Sequence, residues 1–372
     1  MVQTALKTAT RQARLGWVIC LGVCLTLPLN TQARNVQWYF EADTATAAPA
    51  SMKTEPIEPG QAQVVVAVID SGVLSDHPAL TGKLLPGFDM VSDAQAGVGG
   101  RSSNHAPSPK GTSCGQRMVS SSFRTHGTEV ASIVAGNGHQ EMWGVNPNAM
   151  ILPIRVFGPC GMTREDLADS IRWAAGLPVA GVPMNRSPAK VINISISGGA
   201  TECRPALQAA VDEAIKQGAF VVAAAGNNFQ RALVEPANCE GVISVGALSA
   251  DNRIENYSAL DPRTTIYTVG GGPALRVSTP WADNKLRVAT IELSVLGAEQ
   301  LVVADKAIGT SFAAPLVSGF LSLWLSHRPN LKPTDWASHV HQFVRSVPKL
   351  AKCPDCTPQG LVVPESILKA QR

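Results

Sequence analysis

The chain has 372 residues, of which 45% are hydrophobic and 16% are charged, and its net charge is +3 with neutral histidines. A disordered chain would have few apolar residues and a high net charge, so this composition excludes that class. It also argues against nucleic acid as a partner, because the chain carries no strong basic field. Aromatic residues make up 5% of the chain, so the core has to be built from aliphatic side chains.

The N-terminus has the pattern of a secretory signal peptide. Residues 1–14 contain three basic residues and no acidic one, the mostly apolar run LGWVICLGVCLTLPL follows at 15–29, and a polar stretch leads to Ala33. A membrane anchor is the alternative, but the run is shorter than the ~20 residues that cross a bilayer. We predict that residues 1–33 are a signal peptide and that the protein is exported, either secreted or periplasmic.

The cysteines fit an exported chain. Cleavage near Ala33 would remove Cys20 and Cys24 and leave six of the eight cysteines. An even number in an exported protein indicates disulfides, but the sequence alone does not choose among the pairings. For the Cys-x-x-Cys pair near the C-terminus, a redox motif or half of a zinc site is the alternative. The six cysteines are Cys114, Cys160, Cys203, Cys239, Cys353 and Cys356.

Residues 34–62 show no sustained periodicity and are rich in Ala, Thr, Pro and Glu. We therefore predict an extended leader in this segment. No repeat is visible after it, and no linker divides residues 63 to about 350. Residues 63–372 are accordingly predicted to form one domain.

The middle of the chain alternates apolar strands with amphipathic helices. Five apolar, β-branched runs predict buried strands, at 63–69, 150–156, 190–196, 219–225 and 242–248. Between them, Thr163 is placed to cap a helix that Gly176 ends, and Pro205 to begin a helix that Gly218 ends. This order predicts an α/β fold, a doubly wound, mostly parallel sheet with helices on both faces. Reactive groups in such folds collect at the carboxyl ends of the strands.

Four polar residues stand at such places. Asp70 follows the first strand, and Asn227 follows the strand at 219–225. His126 lies in a Thr-His-Gly-Thr segment that we expect to open a helix at 129–135, and Ser311 precedes a long apolar helix. Taken one at a time, these residues are equally typical of a turn, an exposed histidine or a helix cap.

Together, these stretches closely resemble subtilisin-like serine proteases. The matching segments are VVVAVIDSGV around Asp70, THGTEVASIVAG around His126, NISISGG at 193–199, VVAAAGNN at 221–228 and GTSFAAPLVSG around Ser311. Asp, His and Ser occur in the subtilisin order, and the resemblance covers roughly residues 63–350. A nucleotide-binding domain has weak support, because the glycines at 270–272 neither follow a Gly-x-Gly-x-x-Gly pattern nor open a helix.

The resemblance implies a catalytic domain at 63–372 that acts as a serine endopeptidase on proteins or peptides, as a monomer. Ser311 would be the nucleophile, His126 the general base and acid, and Asp70 the residue that orients His126. Asn227 and the Ser311 backbone would form the oxyanion hole, with a weaker contribution from Thr310. A pseudoprotease that binds peptides without cutting them is the alternative. The walls of the specificity pocket would be Ser197, Gly198 and Gly199 on one side and Ala224, Ala225 and Gly226 on the other.

The family fold also implies a disulfide pairing. The polar insertion at 92–122 lies close in that fold to the loop that holds Cys160, which favours Cys114–Cys160. Cys203 and Cys239 flank the Asn227 region and would form the second pair. Cys353 and Cys356 would then close a small loop near the C-terminus.

The sequence departs from the family pattern at several positions. Glu129 stands where His is customary, and Ser132 stands where Gly is customary. The usual calcium site takes an acidic residue at the position of Ala79, and the loop at 136–143 that supplies its other ligands is short. We therefore predict no cofactor and no calcium at that site; Asp251 and Asp261 are weak candidate ligands elsewhere.

The leader bears on how the domain folds. Secreted members of the family commonly carry a folded inhibitory propeptide, and the 29 residues at 34–62 are too few for one. We hypothesise that the domain folds without a propeptide of its own or with a separate helper or inhibitor. A variant that begins at Gln61 should fold and cleave a protein substrate without assistance. If it folds only when a partner is added, a separate helper is required.

Overall fold

The computed structural model describes residues 62–92, 101–108, 112–114, 117–118, 121–229, 231–249, 253–272, 285–293, 298–346, 355 and 359–361. The predicted signal peptide and nearly all of the predicted leader lie outside these residues, as do Cys353, Cys356 and Asp251. The predicted domain boundaries at 33 and 62 therefore stay predictions.

A mostly parallel sheet organises the described residues. In chain order the strands are β1 (Val65–Asp70), β2 (Phe88–Asp89), β3 (Ser113–Cys114), β4 (Arg117–Met118), β5 (Met150–Arg155), β6 (Val191–Ile194), β7 (Phe220–Ala224), β8 (Ile243–Leu248), β9 (Ile266–Val269), β10 (Leu286–Leu293), β11 (Glu299–Ala307), β12 (Val344–Ser346) and β13 (Gln359–Leu361). Nine of these form the central sheet in the order β12-β13-β9-β8-β7-β6-β1-β5-β2, with every neighbouring pair parallel except β12 and β13. The five predicted strands are β1, β5, β6, β7 and β8, each within two residues of the predicted ends.

Helices cover both faces of the sheet. They are α1 (Ser121–Ala135), α2 (Arg164–Ala174), α3 (Pro205–Lys216), α4 (Thr310–His327) and α5 (Trp336–His339). Side chains alternate along a strand, so β1 contributes to both cores. Val66 and Val68 lie in the core beneath α1 and α4. Ala67 and Ile69 lie in the core beneath α2 and α3. This explains the continuous apolar run in β1, and it confirms the predicted doubly wound architecture.

The predicted helix signals act as expected in α2 and α3. The Thr163 hydroxyl caps α2 by accepting a hydrogen bond from the Asp166 N–H at 3.0 Å. Pro205 is the first residue of α3. Gly176 and Gly218 lie just beyond the two helices with φ of +81° and +85°, a conformation that favours glycine.

Two features of the structure differ from the sequence-based expectation. The α1 helix begins at Ser121 and not near residue 129, so His126 lies inside the helix. Ser and Thr are weak helix formers, and the start of α1 depends on tertiary packing, in which the Phe123 ring lies 4.0 Å from the Phe157 ring. The segment between β9 and α4 contains the antiparallel pair of β10 and β11, which is not among the strands predicted from the sequence.

Both disulfides that involve described cysteines are formed as predicted. Cys114 in β3 is bonded to Cys160, which follows β5, and Cys203 is bonded to Cys239. The first bond links the polar insertion before α1 to the loop that follows β5. The pairing of Cys353 with Cys356 stays a prediction.

The α4 helix is buried along nearly its whole length beneath the sheet. Phe320 in its centre is fully buried, so Phe320→Ala should lower the free energy of unfolding by about 3–5 kcal/mol through lost burial and a residual cavity. Urea denaturation followed by circular dichroism measures this loss. Met184→Ala, at a 55% exposed position, is the control and should stay within about 0.5 kcal/mol of the wild type. A Phe320→Ala loss as small as the control would contradict the packing described here.

Candidate active site

The predicted site residues converge at the carboxyl ends of adjacent strands. Asp70 is the last residue of β1, Ser197 follows β6, and Asn227 follows β7. These three strands are neighbours and run parallel. Ser311 is the second residue of α4, and the contacts of Thr310 and Phe312 described below bring it to the same edge.

Asp70 and His126 are joined by a hydrogen bond between Asp70 Oδ1 and His126 Nδ1 at 2.8 Å. Asp70 is fully buried, and its Oδ1 also accepts from the Ser71 N–H at 2.7 Å. Because a carboxylate only accepts hydrogen bonds, His126 Nδ1 must carry the proton. The neutral ring therefore presents Nε2 as a free base.

The surroundings of His126 set its basicity. Burial disfavours the charged imidazolium, but the Asp70 carboxylate, its hydrogen bond and the charge of Glu129 together raise the pKa of His126 above its usual value. The side chain is 15% exposed. His126 can therefore accept a proton at its partly exposed position, and its surroundings stabilise the resulting cation.

Aromatic rings hold the imidazole in place. The Phe123 ring lies nearly parallel to it at 5.9 Å, and the Phe312 ring lies at 5.2 Å. Phe312 follows Ser311 directly, so this contact brings the histidine and serine segments together. Among the described residues no hydrogen bond links Ser311 to His126, and such catalytic bonds often tighten only when substrate binds.

The start of α4 positions the Ser311 backbone. The first N–H groups of a helix have no intrahelical partner, so they are available to an anion. Gly309 immediately precedes α4 with φ +144°. A Cβ at this position would lie 3.0 Å from Asn227 Nδ2, so a larger residue would crowd the amide.

Asn227 is oriented by Thr310. Its Oδ1 accepts hydrogen bonds from the Thr310 N–H and hydroxyl, both at 2.9 Å. Because only the amide oxygen can accept these two hydrogen bonds, the other terminal atom of the side chain is Nδ2. This nitrogen can donate to another group. The Thr310 hydroxyl also accepts from the Gly226 N–H at 3.2 Å. Thr310 therefore orients Asn227, and its predicted contribution to the oxyanion hole stays a prediction.

Ser195 is a site residue that the sequence reasoning missed. Pro315 is the sixth residue of α4, at the position whose N–H the Ser311 carbonyl would need, and proline has no N–H. The Ser195 hydroxyl donates to that carbonyl at 2.7 Å and accepts from Asn193 Nδ2 at 2.9 Å. Asn193 Oδ1 accepts from the Ser318 hydroxyl in turn. A proline four residues after Ser311 was the available signal, because it predicts an unpaired carbonyl.

The residues predicted to line the specificity pocket lie on neighbouring strands. Ser197 and Gly199 are exposed beyond β6, whereas the segment at 224–226 is buried at the end of β7. The Gly198 N–H donates to the Glu235 carbonyl at 2.8 Å. The buried Glu235 carboxylate accepts from Arg164 Nε at 3.1 Å and from a backbone N–H, so this contact tethers one wall to a charged residue.

A family model supports this assembly. The model that describes the subtilase family matches residues 61–349. The chain belongs to the subtilase family. This is the family that its motifs resemble.

Two bacterial relatives illustrate the match. The subtilase chain is 32% identical over 332 residues to the "Extracellular protease" of Xanthomonas campestris pv. campestris, covering 87% of this chain and 54% of that protein. It is 34% identical over 275 residues to the "Extracellular basic protease" of Dichelobacter nodosus, covering 71% and 43%. The chain therefore spans about half the length of these curated relatives.

Solved structures agree with the predicted fold. A protease from Pseudoalteromonas arctica has a TM-score of 0.67 and 30% identity, covering 83% of this chain and 89% of that chain. A cold-adapted subtilisin-like serine proteinase has a TM-score of 0.60 and covers 87% and 97%. At 21% identity, the second likeness concerns the fold alone.

The expectation that this subtilase has no cofactor and lacks the usual calcium site stays a prediction. Within the described ranges, no group of three or more His, Cys, Asp or Glu side chains could hold a metal ion. Asp261, a weak candidate ligand, accepts two hydrogen bonds from the Arg263 guanidinium, which lower its pKa to about 2. Ala79, at the family position of an acidic calcium ligand, is buried in a 3-10 turn and offers no side-chain oxygen.

Ser195→Ala tests the support for the nucleophile. The change leaves the Ser311 carbonyl without its donor, so we expect a loss of about 1–3 kcal/mol in stability. We also expect roughly a tenfold lower kcat, because small misplacements of reacting groups are costly. Peptide hydrolysis and urea denaturation measure the two effects.

The control is Ser170→Ala on α2, whose buried hydroxyl donates to the Asp166 carbonyl at 2.7 Å. It should lower stability and leave kcat unchanged. If Ser195→Ala behaves like this control, Ser195 has no positioning role.

Proposed function

We propose that the protein is an exported serine endopeptidase that hydrolyses peptide bonds through an acyl-enzyme on Ser311. The observation that carries this proposal is the buried hydrogen bond between Asp70 and His126 at the sheet edge that also presents Asn227 and the start of α4. This arrangement combines a nucleophile, an oriented base and an oxyanion site.

The first step forms the acyl-enzyme. As Ser311 Oγ attacks the carbonyl carbon of the scissile bond, His126 Nε2 takes its proton. The carbonyl oxygen becomes an oxyanion that accepts hydrogen bonds from the Ser311 N–H and Asn227 Nδ2. Asp70 stabilises the imidazolium and does not itself become protonated. His126 then gives the proton to the leaving amine as the peptide bond breaks.

The second step regenerates the enzyme. Water takes the place of the departed amine, and His126 removes a proton from it as it attacks the acyl carbon. The same two donors stabilise the second oxyanion, and Ser311 Oγ leaves with the proton from His126. In subtilisin, removing one oxyanion donor lowers kcat by about 10²–10³-fold. The Thr310 bonds that orient Asn227 therefore matter for rate.

The pocket walls bear on the substrate, and the N-terminus and the relatives bear on the localisation. The pocket walls at 197–199 and 224–226 consist of Ser, Gly and Ala, which favours an open pocket that admits apolar side chains. We propose protein or peptide substrates, action as a monomer, and folding alone or with a separate helper or inhibitor. The signal-like N-terminus and the extracellular relatives support export, to the medium or the periplasm. No helix within the described residues is long and apolar enough to cross a membrane.

Covalent labelling with a fluorophosphonate tests the proposal. The wild type should be labelled on Ser311, because this reagent reacts with a serine that a neighbouring base activates. Ser311→Ala should lose the label while keeping the wild-type circular dichroism spectrum, and mass spectrometry identifies the modified residue. Ser170→Ala on α2 retains Ser311 and is the control for general damage; it should still be labelled. A folded wild type that stays unlabelled would overturn the protease proposal in favour of a peptide-binding pseudoprotease.

A further inference from the structure

The two departures from the family motif after His126 contact the same hairpin. Glu129 and Ser132 lie on α1, and both are buried. Ser132 Oγ accepts a hydrogen bond from the Ala289 N–H of β10 at 3.0 Å and donates to the Glu129 carbonyl at 2.7 Å. The Glu129 side chain reaches both strands of the pair of β10 and β11. The unusual residues therefore form one contact between α1 and this hairpin.

Glu129 is the charged centre of that contact. Its Oε1 accepts from the hydroxyls of Thr125 and Thr290, each at 2.7 Å, and lies 3.1 Å from Lys306 Nζ. Lys306 Nζ also donates to the Thr290 hydroxyl at 3.1 Å. Glu129 is 3% exposed, whereas the Lys306 side chain is 34% exposed. A buried carboxylate thus has a counter-ion and two hydroxyl donors, as such a charge requires.

This cluster joins the two segments that carry the reacting side chains. Glu129 lies one helical turn after His126, and Lys306 lies five residues before Ser311. The hairpin is held at other points as well, because His77 Nε2 donates to the Val302 carbonyl at 3.1 Å and Arg124 pairs with Glu299 at 2.7 Å. Of these links between the hairpin and the rest of the domain, the Glu129 cluster is the one that contains a buried carboxylate.

The charges near the imidazole can be identified. Asp70 on β1 and Glu129 on the same helix act on His126, and Lys306 on β11 faces Glu129. His77 packs against the hairpin, and burial lowers its pKa. Because its Nδ1 accepts from a backbone N–H, this histidine is neutral. Two further ion pairs lie on the hairpin, Arg124 with Glu299 and Arg287 with Asp305.

We propose that Glu129, with Lys306 as its counter-ion, is a positioning residue that holds the His126 helix against the strand leading to Ser311 and stabilises the imidazolium of His126. This inference rests on the proposed protease function. Side chains three residues apart lie on the same helix face, and burial limits the screening of their charges. A negative charge there favours the protonated ring and so raises the pH above which His126 acts as a base.

Glu129→Gln tests the inference, because it removes the charge and keeps the size. We expect the rate constant for fluorophosphonate modification of Ser311, measured from pH 5 to 9, to rise with pH as His126 loses its proton. In Glu129→Gln the midpoint of this rise should fall by about 0.5 pH unit. A midpoint within 0.1 unit (roughly the error of such a profile) of the wild type would overturn the proposal, even if the variant is less stable.

Two controls separate charge from structure. Thr290→Val removes a hydroxyl donor and no charge, so it should weaken the hairpin contact without moving the midpoint. Glu165→Gln removes an exposed carboxylate from α2 and should change neither property. A midpoint in Thr290→Val that falls as far as in Glu129→Gln would contradict a role for the charge.

Lys306→Gln gives a second measurement if Glu129→Gln does not fold. This change removes the cation that faces Glu129 and leaves the threonine hydroxyls in place, so the midpoint should rise above that of the wild type. A midpoint that stays or falls would overturn the inference. Labelling of the wild type establishes the protease function separately, so a failure of the midpoint prediction alone rejects only the role of Glu129.

Discussion

The buried hydrogen bond between Asp70 and His126 is the interaction on which the rest of the site depends. A carboxylate at the end of a central parallel strand is costly without a partner, and among the described residues His126 is the one side chain that supplies it. This need fixes where α1 must lie, although 55 residues separate the two positions. The Cys114–Cys160 disulfide and the packing of Phe123 restrict the same connection.

A second constraint comes from the backbone around Ser311. Pro315 deprives the Ser311 carbonyl of its helical partner, and Ser195, directly after β6, provides a replacement. On the other side, Thr310 orients Asn227. Both contacts tie the start of α4 to the ends of β6 and β7. The proposed nucleophile is therefore positioned by hydrogen bonds from rigid elements, the condition under which preorganised donors are effective.

The surroundings of His126 show how a motif position can change without loss of the fold. Glu129 stands where the family usually has histidine, and it is accommodated by Lys306, Thr290 and Thr125. Ser132 similarly gains a backbone donor from β10. The replacements form one satisfied polar network instead of two isolated defects, which is how buried polar groups are normally tolerated.

Local patterns were sufficient for much of the fold. The apolar runs predicted β1, β5, β6, β7 and β8, and the cap at Thr163 predicted the start of α2, because burial and capping depend on residues close in sequence. The predicted start of α1 was wrong, because serine and threonine are weak helix formers and the first turn of α1 depends on the packing of Phe123 against Phe157. The role of Ser195 was also missed, although Pro315 signals an unpaired carbonyl at Ser311. The role of Lys306 was missed because its partner Glu129 is far from it in the sequence.

The sequence by itself determined the fold class, the family and the positions of the chemically important residues, because strand periodicity and short motifs are written in neighbouring residues. The tertiary structure alone decided which atoms meet. It paired Asp70 with His126, Ser195 with the Ser311 carbonyl, and Glu129 with Lys306. These partners come from separate elements, and their distances depend on how helices pack across the sheet, which no local pattern specifies.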